Sequence, residues 1–291
     1  MNKITKAVIP CGGLGTRFLP ITKAVPKEIL PIVDTPVLGY IVEEAINSGV
    51  TDVLIVLGKN KEAIRDYFSP APELEDKLSA CGKEEYVKLL KSIYSRADIS
   101  FAYQTAPRGS GDAVYCAKEF TGKDAFCLAW GDDLIVGERP VMGQLADFYY
   151  RYGAPILGVQ YFTGDDIVKY GVAEIAESDG LAHKCVGIVE KPALDKIPSR
   201  FASLGRYVLD SRVYGAIEKT PIGKGGEYQL TDTLNAMCAS TGVYACEFSG
   251  KRYDMGDKFG AMTASVEFAL ENKEFGARFK EYIVSLAEAL K

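Results

Sequence analysis

Three glycines, Gly12, Gly13 and Gly15, close a short apolar run, and Arg17, Lys23 and Lys27 follow them. From Thr16 to Lys27 there is no acidic residue, and Pro20, Pro26 and Pro31 stiffen the segment. Glycines at a strand end let backbone N–H groups approach a phosphate with no Cβ in the way. Arg17 offers a planar fork of donors, and Lys27 offers a mobile point charge. Together they suit a polyphosphate. The turn is not the dinucleotide fingerprint, because Phe18 stands at its third glycine position. It is not a Walker loop either, because the sixth residue from Gly12 is Arg17.

Two carboxylates, Asp132 and Asp133, end a second apolar run in "AWGDDLI". Hard oxygen ligands at a strand end suit Mg²⁺, which takes one or two carboxylates and completes its shell with phosphate oxygens. Gln104 ends the run "ISFAYQ", and its amide carries both a donor and an acceptor. Glu190 and Lys191 precede Pro192, which predicts extended or polyproline-like angles for Lys191. Adjacent residues on a strand point to opposite faces, so for both to meet one ligand the strand must end there with a local twist.

The composition narrows the partners. The chain has 291 residues with a formal net charge of -5, which argues against nucleic-acid and anionic-membrane partners. Any positive site must be local. No apolar run approaches the roughly 18 residues of a membrane span, and the N-terminus lacks a signal-peptide pattern. Seven scattered cysteines without a CxxC pair read as core residues of a reduced, cytoplasmic chain. The one histidine, His183 in "DGLAHKCVG", reads as a surface residue of a hairpin or loop. A single histidine rules out His-rich metal sites.

These residues need a scaffold. Short β-branched or aromatic runs at 6–10, 52–58, 99–104, 124–130 and 155–161 read as buried strands. Between them, 37–46, 60–68, 110–120 and 140–151 follow helical spacing. The alternation predicts an α/β fold with a Rossmann-like, mostly parallel sheet flanked by helices. After residue 161 the rhythm changes. "GVAEIAE", "CVGIVEKP" and "SLGRYVL" predict a mixed or antiparallel extension, followed by helices over 211–219, 229–240 and 257–290, the last broken near Asn272. No linker or repeat interrupts the chain. One domain over 1–291 is expected, with a nucleotide-binding part at about 1–135 and a sugar-binding, C-terminal helical part at about 136–291.

In chain order, "GGLGTRFLPITKAVPKEILPIVDTP", "QTAPRGSGDAV", "GDD", "YGV", "GIVEKP", "GRYVL", "GGEYQLTD" and "YDMGDKFG" span nearly the whole sequence. The set resembles the sugar-nucleotidyltransferases, and within them is most similar to the bacterial uridylyltransferases that act on UTP and glucose 1-phosphate. The resemblance implies a fold of the nucleotide-diphospho-sugar transferase type, UDP-glucose and pyrophosphate as products, and Mg²⁺ held by Asp132 and Asp254. It implies that Arg17, Lys27 and Lys191 are catalytic. Gly12, Gly13, Gly15, Thr16, Gln104, Gly109, Gly111 and Asp133 would bind the nucleotide, and Gly171, Glu190 and Lys191 the sugar phosphate. It also implies a homodimer or homotetramer. Two positions depart from the family pattern: Asp112 stands in place of a histidine, and Trp130-Gly131 in place of a Leu-Pro-like pair. They leave open dTTP or another hexose 1-phosphate as substrate. A non-catalytic sugar-nucleotide sensor is the alternative of another class. A nicotinamide oxidoreductase is disfavoured by Phe18 and the basic run.

Overall fold

Strand β1 (Lys6–Cys11) divides its side chains between two faces: Ala7, Ile9 and Cys11 enter one buried cluster and Val8 another. A strand apolar on both sides needs cover on both, and the remaining elements supply it. The computed structural model describes residues 2–223 and 226–291. After β1 no helix forms. Three single 3₁₀ turns follow, Thr16–Phe18, Ile21–Lys23 and Lys27–Ile29, because the prolines between them lack the N–H groups that a continuous helix needs. A small hairpin, β2 (Pro31–Ile32) and β3 (Thr35–Pro36), then leads into α1 (Val37–Asn47).

The chain continues through β4 (Asp52–Leu57), α2 (Glu62–Tyr67), α3 (Pro72–Ala80), α4 (Glu84–Tyr94), β5 (Asp98–Tyr103), α5 (Ser110–Tyr115), α6 (Lys118–Thr121), β6 (Phe126–Ala129), β7 (Asp133–Val136), α7 (Val141–Tyr152) and β8 (Ile156–Tyr161). The second half holds β9 (Gly171–Asp179), β10 (Ala182–Glu190), β11 (Phe201–Leu209), α8 (Arg212–Ile217), α9 (Leu230–Ser240), β12 (Tyr244–Glu247), β13 (Lys251–Asp254), α10 (Lys258–Glu271) and α11 (Gly276–Ala289). One sheet runs through both halves in the order β5-β4-β1-β6-β11-β8-β12-β10-β9. All its strands point one way except β11 and β10. Helices α1 and α7 cover one face, and α5, α8 and α9 the other. Outside the sheet, β7 pairs with β13, and α10 packs on that ribbon through Ala264. Among the described residues no helix is long and apolar enough to cross a membrane.

Most sequence-level elements form within a residue or two of expectation. The break near Asn272 forms because its Oδ1 accepts from the N–H groups of Glu274 and Phe275, turning the chain between α10 and α11. Several features differ, among them the short strands β2, β3, β7, β12 and β13, which were not expected. Helices α3 and α4 were not expected: α3 buries no residue, whereas α4 does carry apolar residues at helical spacing, Val87, Leu90 and Ile93, with Val87 buried and the other two half-buried. His183 is not on the surface. It is 4% exposed within β10, packed against Phe201 at 4.3 Å between ring centroids with the rings tilted by 31°. Ser178 Oγ meets one ring nitrogen at 2.8 Å and Glu247 Oε1 the other at 3.1 Å. Strand β12, which supplies Glu247, pairs along the edge of β10 that a lone hairpin would leave open.

A buried ion pair ties the centre together. Arg206 on β11 is 0% exposed and holds Glu44 of α1 through Nε and Nη2. Nη2 also donates to the Asp133 carbonyl at 2.8 Å, while Glu44 Oε1 accepts from Met142 N at the start of α7. Removing one partner strands the other charge in a dry interior. Arg206→Ala should lower unfolding stability by about 3–5 kcal/mol, read as a lower midpoint in urea; a midpoint within error of the parent would show the pair to be dispensable.

Candidate active site

The site lies where β1, β5 and β6 end on one edge of the sheet, the usual ligand position in such folds. Two clefts meet there. The smaller, about 330 Å³, is lined by Gly12, Gly13, Lys27, Gln104, Gly109 and Asp132. The larger, about 940 Å³, is lined by Arg17, Asp132, Gly171, Glu190, Lys191 and Asp254, among others. Asp132 borders both. Gly15 and Thr16 lie on the outer turn of the loop and line neither cleft. Gly15 has φ 66°, a left-handed angle that glycine adopts without strain.

Close approach explains several glycines. A Cβ at Gly12 would stand 2.7 Å from Gln104 Oε1, and one at Gly13 would stand 3.3 Å from Lys27 Nζ. Gly109, at φ 105°, admits the Tyr228 carbonyl, which would lie 2.5 Å from a Cβ. Gly111 donates its N–H to the same carbonyl at 2.7 Å, and Tyr228 N donates to Arg108 O at 2.7 Å. The glycines of "RGSG" thus receive the segment before α9, a contact 117 residues away that the sequence pattern could not show. Gly225, which opens the "GGEYQLTD" motif, lies outside the described residues.

Cations and carboxylates alternate across the junction. Lys27 Nζ pairs with Asp132 Oδ2. Burial works to lower the Lys27 pKa, but Asp132 and Glu28 outweigh it, and the net shift is upward, so the ammonium holds its charge. The turn bearing Lys27 is anchored from below: Glu28 accepts from Lys61 Nζ at 2.6 Å, with both side chains buried. Burial raises the Glu28 pKa, against the pull of Lys61. Arg17 Nη1 donates to Gly256 O at 2.9 Å. The same glycine draws two carboxylates together. A Cβ at Gly256 would stand 3.0 Å from Asp132 Oδ2 and 3.1 Å from Asp254 Oδ1, so its absence leaves a cradle between them.

Asp133 stands opposite Asp254 in the β7–β13 register, and its carboxylate is engaged within the protein. Its Oδ1 accepts from Arg252 Nε at 2.7 Å and from Nη2. Burial raises the Asp133 pKa, and Arg252 opposes that rise. Burial in turn works to lower the Arg252 pKa, but Asp133 prevails and raises it. Arg252 also donates to Tyr170 Oη at 2.8 Å and lies 3.6 Å from Asp254 Oδ2. Sequence reasoning missed Arg252; its position two residues before Asp254 in "KRYD" was the available signal.

On the far wall, Glu190 pairs with Gly171 across the β9–β10 ladder and accepts from Thr231 Oγ1 at 2.8 Å. Lys191 differs from expectation. Its φ is 45°, in the left-handed region, not extended or polyproline-like. The Tyr170 carbonyl accepts its N–H at 3.1 Å and holds the bend. This angle supplies the local twist expected at the strand end and brings Lys191 Nζ to 3.6 Å from Glu190 Oε1 on the cleft side. The preference set by Pro192 is overridden where two neighbours must face the same cleft.

A family profile described as nucleotidyl transferase matches residues 6–269. The chain is similar to the UTP–glucose-1-phosphate uridylyltransferase of Bacillus subtilis (strain 168), 42% identical over 290 residues, covering all of this chain and 98% of that one. A second relative from the same strain, UTP–glucose-1-phosphate uridylyltransferase YngB, is 44% identical over 282 residues, covering 97% and 95%. Among solved structures, a UTP-bound UGPase from Acinetobacter baumannii superposes with a TM-score of 0.90 at 32% identity, covering 98% of this chain and all of that one. A UDP-glucose pyrophosphorylase complexed with UDP-glucose gives 0.84 at 33% identity, covering 93% and 100%. The paired glycine and carboxylate constellations described above thus sit in a chain matched over nearly its whole length, and the chain belongs to the nucleotidyl transferase family.

Proposed function

We propose that the protein transfers the uridylyl group of UTP to α-D-glucose 1-phosphate, giving UDP-glucose and pyrophosphate. The observation that carries this reading is the position of Asp132: it borders both clefts, between the triphosphate-type cations and the Glu190–Lys191 wall. A phosphate oxygen of the sugar phosphate attacks the α-phosphorus. The bond from that phosphorus to the bridging oxygen of the β-phosphate breaks, and pyrophosphate leaves with the electron pair. The protein positions the reactants in line and offsets charge. Arg17 and Lys27 bind the triphosphate, and the backbone of Gly12 and Gly13 borders the base. Lys191 orients the attacking phosphate, and Glu190, with Gly171 beside it, accepts from the sugar hydroxyls. The relatives named for UTP and glucose 1-phosphate support this choice of substrates.

Mg²⁺ is the proposed cofactor, held by Asp132 and Asp254. The donor set fits: two hard carboxylates converge on Gly256, and among the described residues no group of three or more His, Cys, Asp or Glu gathers to hold a metal alone. Mg²⁺ held by one or two carboxylates takes the rest of its shell from phosphate oxygens and water. When bound, it supplies positive charge against the charge that grows on the phosphates. The cysteines are all free, in keeping with a cytoplasmic protein. Exposed Tyr282, Val284, Leu286 and Leu290 on and just after α11 support a homodimer or homotetramer.

Pyrophosphate release, screened over nucleoside triphosphates and sugar 1-phosphates, tests the reaction. UTP with glucose 1-phosphate should be the best pair; a better dTTP rate would move the assignment to a thymidylyl donor. Asp132→Asn should lower kcat by several orders of magnitude with the thermal midpoint nearly unchanged, and Asp254→Asn should act in the same direction less severely. Normal turnover in both variants would make these carboxylates structural. Glu190→Gln should mainly raise KM for glucose 1-phosphate, since its contacts exist before and during transfer. Lys191→Ala should lower kcat roughly a hundredfold. Identical kinetic profiles for these last two variants would refute the division of roles.

A further inference from the structure

Gln104 borders the smaller cleft at the end of β5, and its amide has two N–H hydrogens and one carbonyl oxygen. Both hydrogens are used inside the protein. Nε2 lies 2.8 Å from Asp112 Oδ2 and 3.1 Å from the Gly109 carbonyl. The other oxygen of Asp112 takes the Arg108 guanidinium at 3.2 Å. Turning the Gln104 amide over would place its oxygen against a carboxylate and a carbonyl, three acceptors with no proton between them. The orientation is therefore locked. Oε1 faces Gly12, where only the absence of a Cβ leaves it open, since a Cβ would stand 2.7 Å away.

This changes what Gln104 offers a base. The donor–acceptor pair expected from its chemistry is reduced to a lone acceptor, because Asp112 and Gly109 consume the donors. We infer that Asp112 is the positioning residue for base selection: by holding the Gln104 N–H groups it presents Oε1 alone to the base, and so selects a pyrimidine with an N3–H donor. Uracil and thymine carry that hydrogen. Cytosine carries a lone pair at the same atom and meets Oε1 with repulsion. Any donor to the ring carbonyls has to come from elsewhere, such as the backbone N–H groups of the glycine turn. The inference rests on the uridylyl-transfer reading.

The test uses the full chain. kcat/KM for UTP and for CTP is measured with glucose 1-phosphate in the parent and in Asp112→Asn, alongside calorimetric binding of UTP, CTP and 3-methyl-UTP. Asparagine can offer either its oxygen or its nitrogen, so of the two acceptors that hold the Gln104 amide only the Gly109 carbonyl remains obligatory and the hold is weakened. The parent should prefer UTP strongly. The variant should show a raised KM for UTP and a UTP-to-CTP ratio lower by roughly tenfold or more, the size expected when a buried polar match is lost. 3-Methyl-UTP, which lacks the N3 hydrogen, should bind the parent at least about tenfold more weakly than UTP. An unchanged ratio in a folded variant, equal use of UTP and CTP by the parent, or equal binding of UTP and 3-methyl-UTP would each overturn the inference. Failure of the parent to release pyrophosphate would overturn the transfer reading instead, and the binding measurements would still decide the role of Asp112.

Discussion

Three carboxylates crowd one corner of this molecule, and their repulsion has to be offset before any ligand arrives. Asp132 and Asp133 are adjacent at the start of β7, and Asp254 faces Asp133 across the ribbon with β13. Like charges this close oppose ionisation. Lys27 comes from the loop after β1 to meet Asp132, and Arg252 comes from β13 to bind Asp133 beside Asp254. Beneath them, Arg206 holds the Asp133 carbonyl and fixes the backbone from which the carboxylates project. The glycine loop, the ribbon and the central sheet are thus joined through one balance of charge.

That balance also sets how the site responds to an anion. In the structure the Lys27 ammonium is spent on Asp132. On the proposed reading, a triphosphate entering beside it would compete for the same ammonium, and a divalent cation for the same carboxylate. Bound together, the two would leave neither Lys27 nor Asp132 with a bare charge. Arg252 differs. It is enclosed by Asp133 and Tyr170 and has little freedom to turn toward a ligand. Its effect is to keep Asp254 in place.

What could be read from the sequence was local. The strand–helix alternation, the prolines that prevent a helix after the glycines, and the Asn272 break depend on neighbours in the chain. So do the carboxylates at the end of a core strand. What could not be read depends on contacts from far away. Gly109 and Gly111 answer to Tyr228, and β12 pairs along the edge of β10 that carries His183. Arg252 becomes informative only once β13 lies beside β7. The left-handed angle of Lys191 runs against the local preference set by Pro192, and only the Tyr170 carbonyl and the shared cleft explain it. Helix α3 failed for the opposite reason, since it buries no residue, whereas the stripe of Val87, Leu90 and Ile93 made α4 legible from local spacing.

The Glu44–Arg206 pair joins residues 162 positions apart. At about 5–20 residues per second of synthesis, the carboxylate waits ~8–30 s for its partner to be made. Until then the inner face of α1 carries a charge that no dry interior tolerates. Strand β11, which brings Arg206, also stands between β6 and β8 in the finished sheet. The early parallel strands therefore cannot seal against β8 and α7 ahead of it. The N-terminal half of the chain is built first but completed late, because its centre is left open for a strand from the other half.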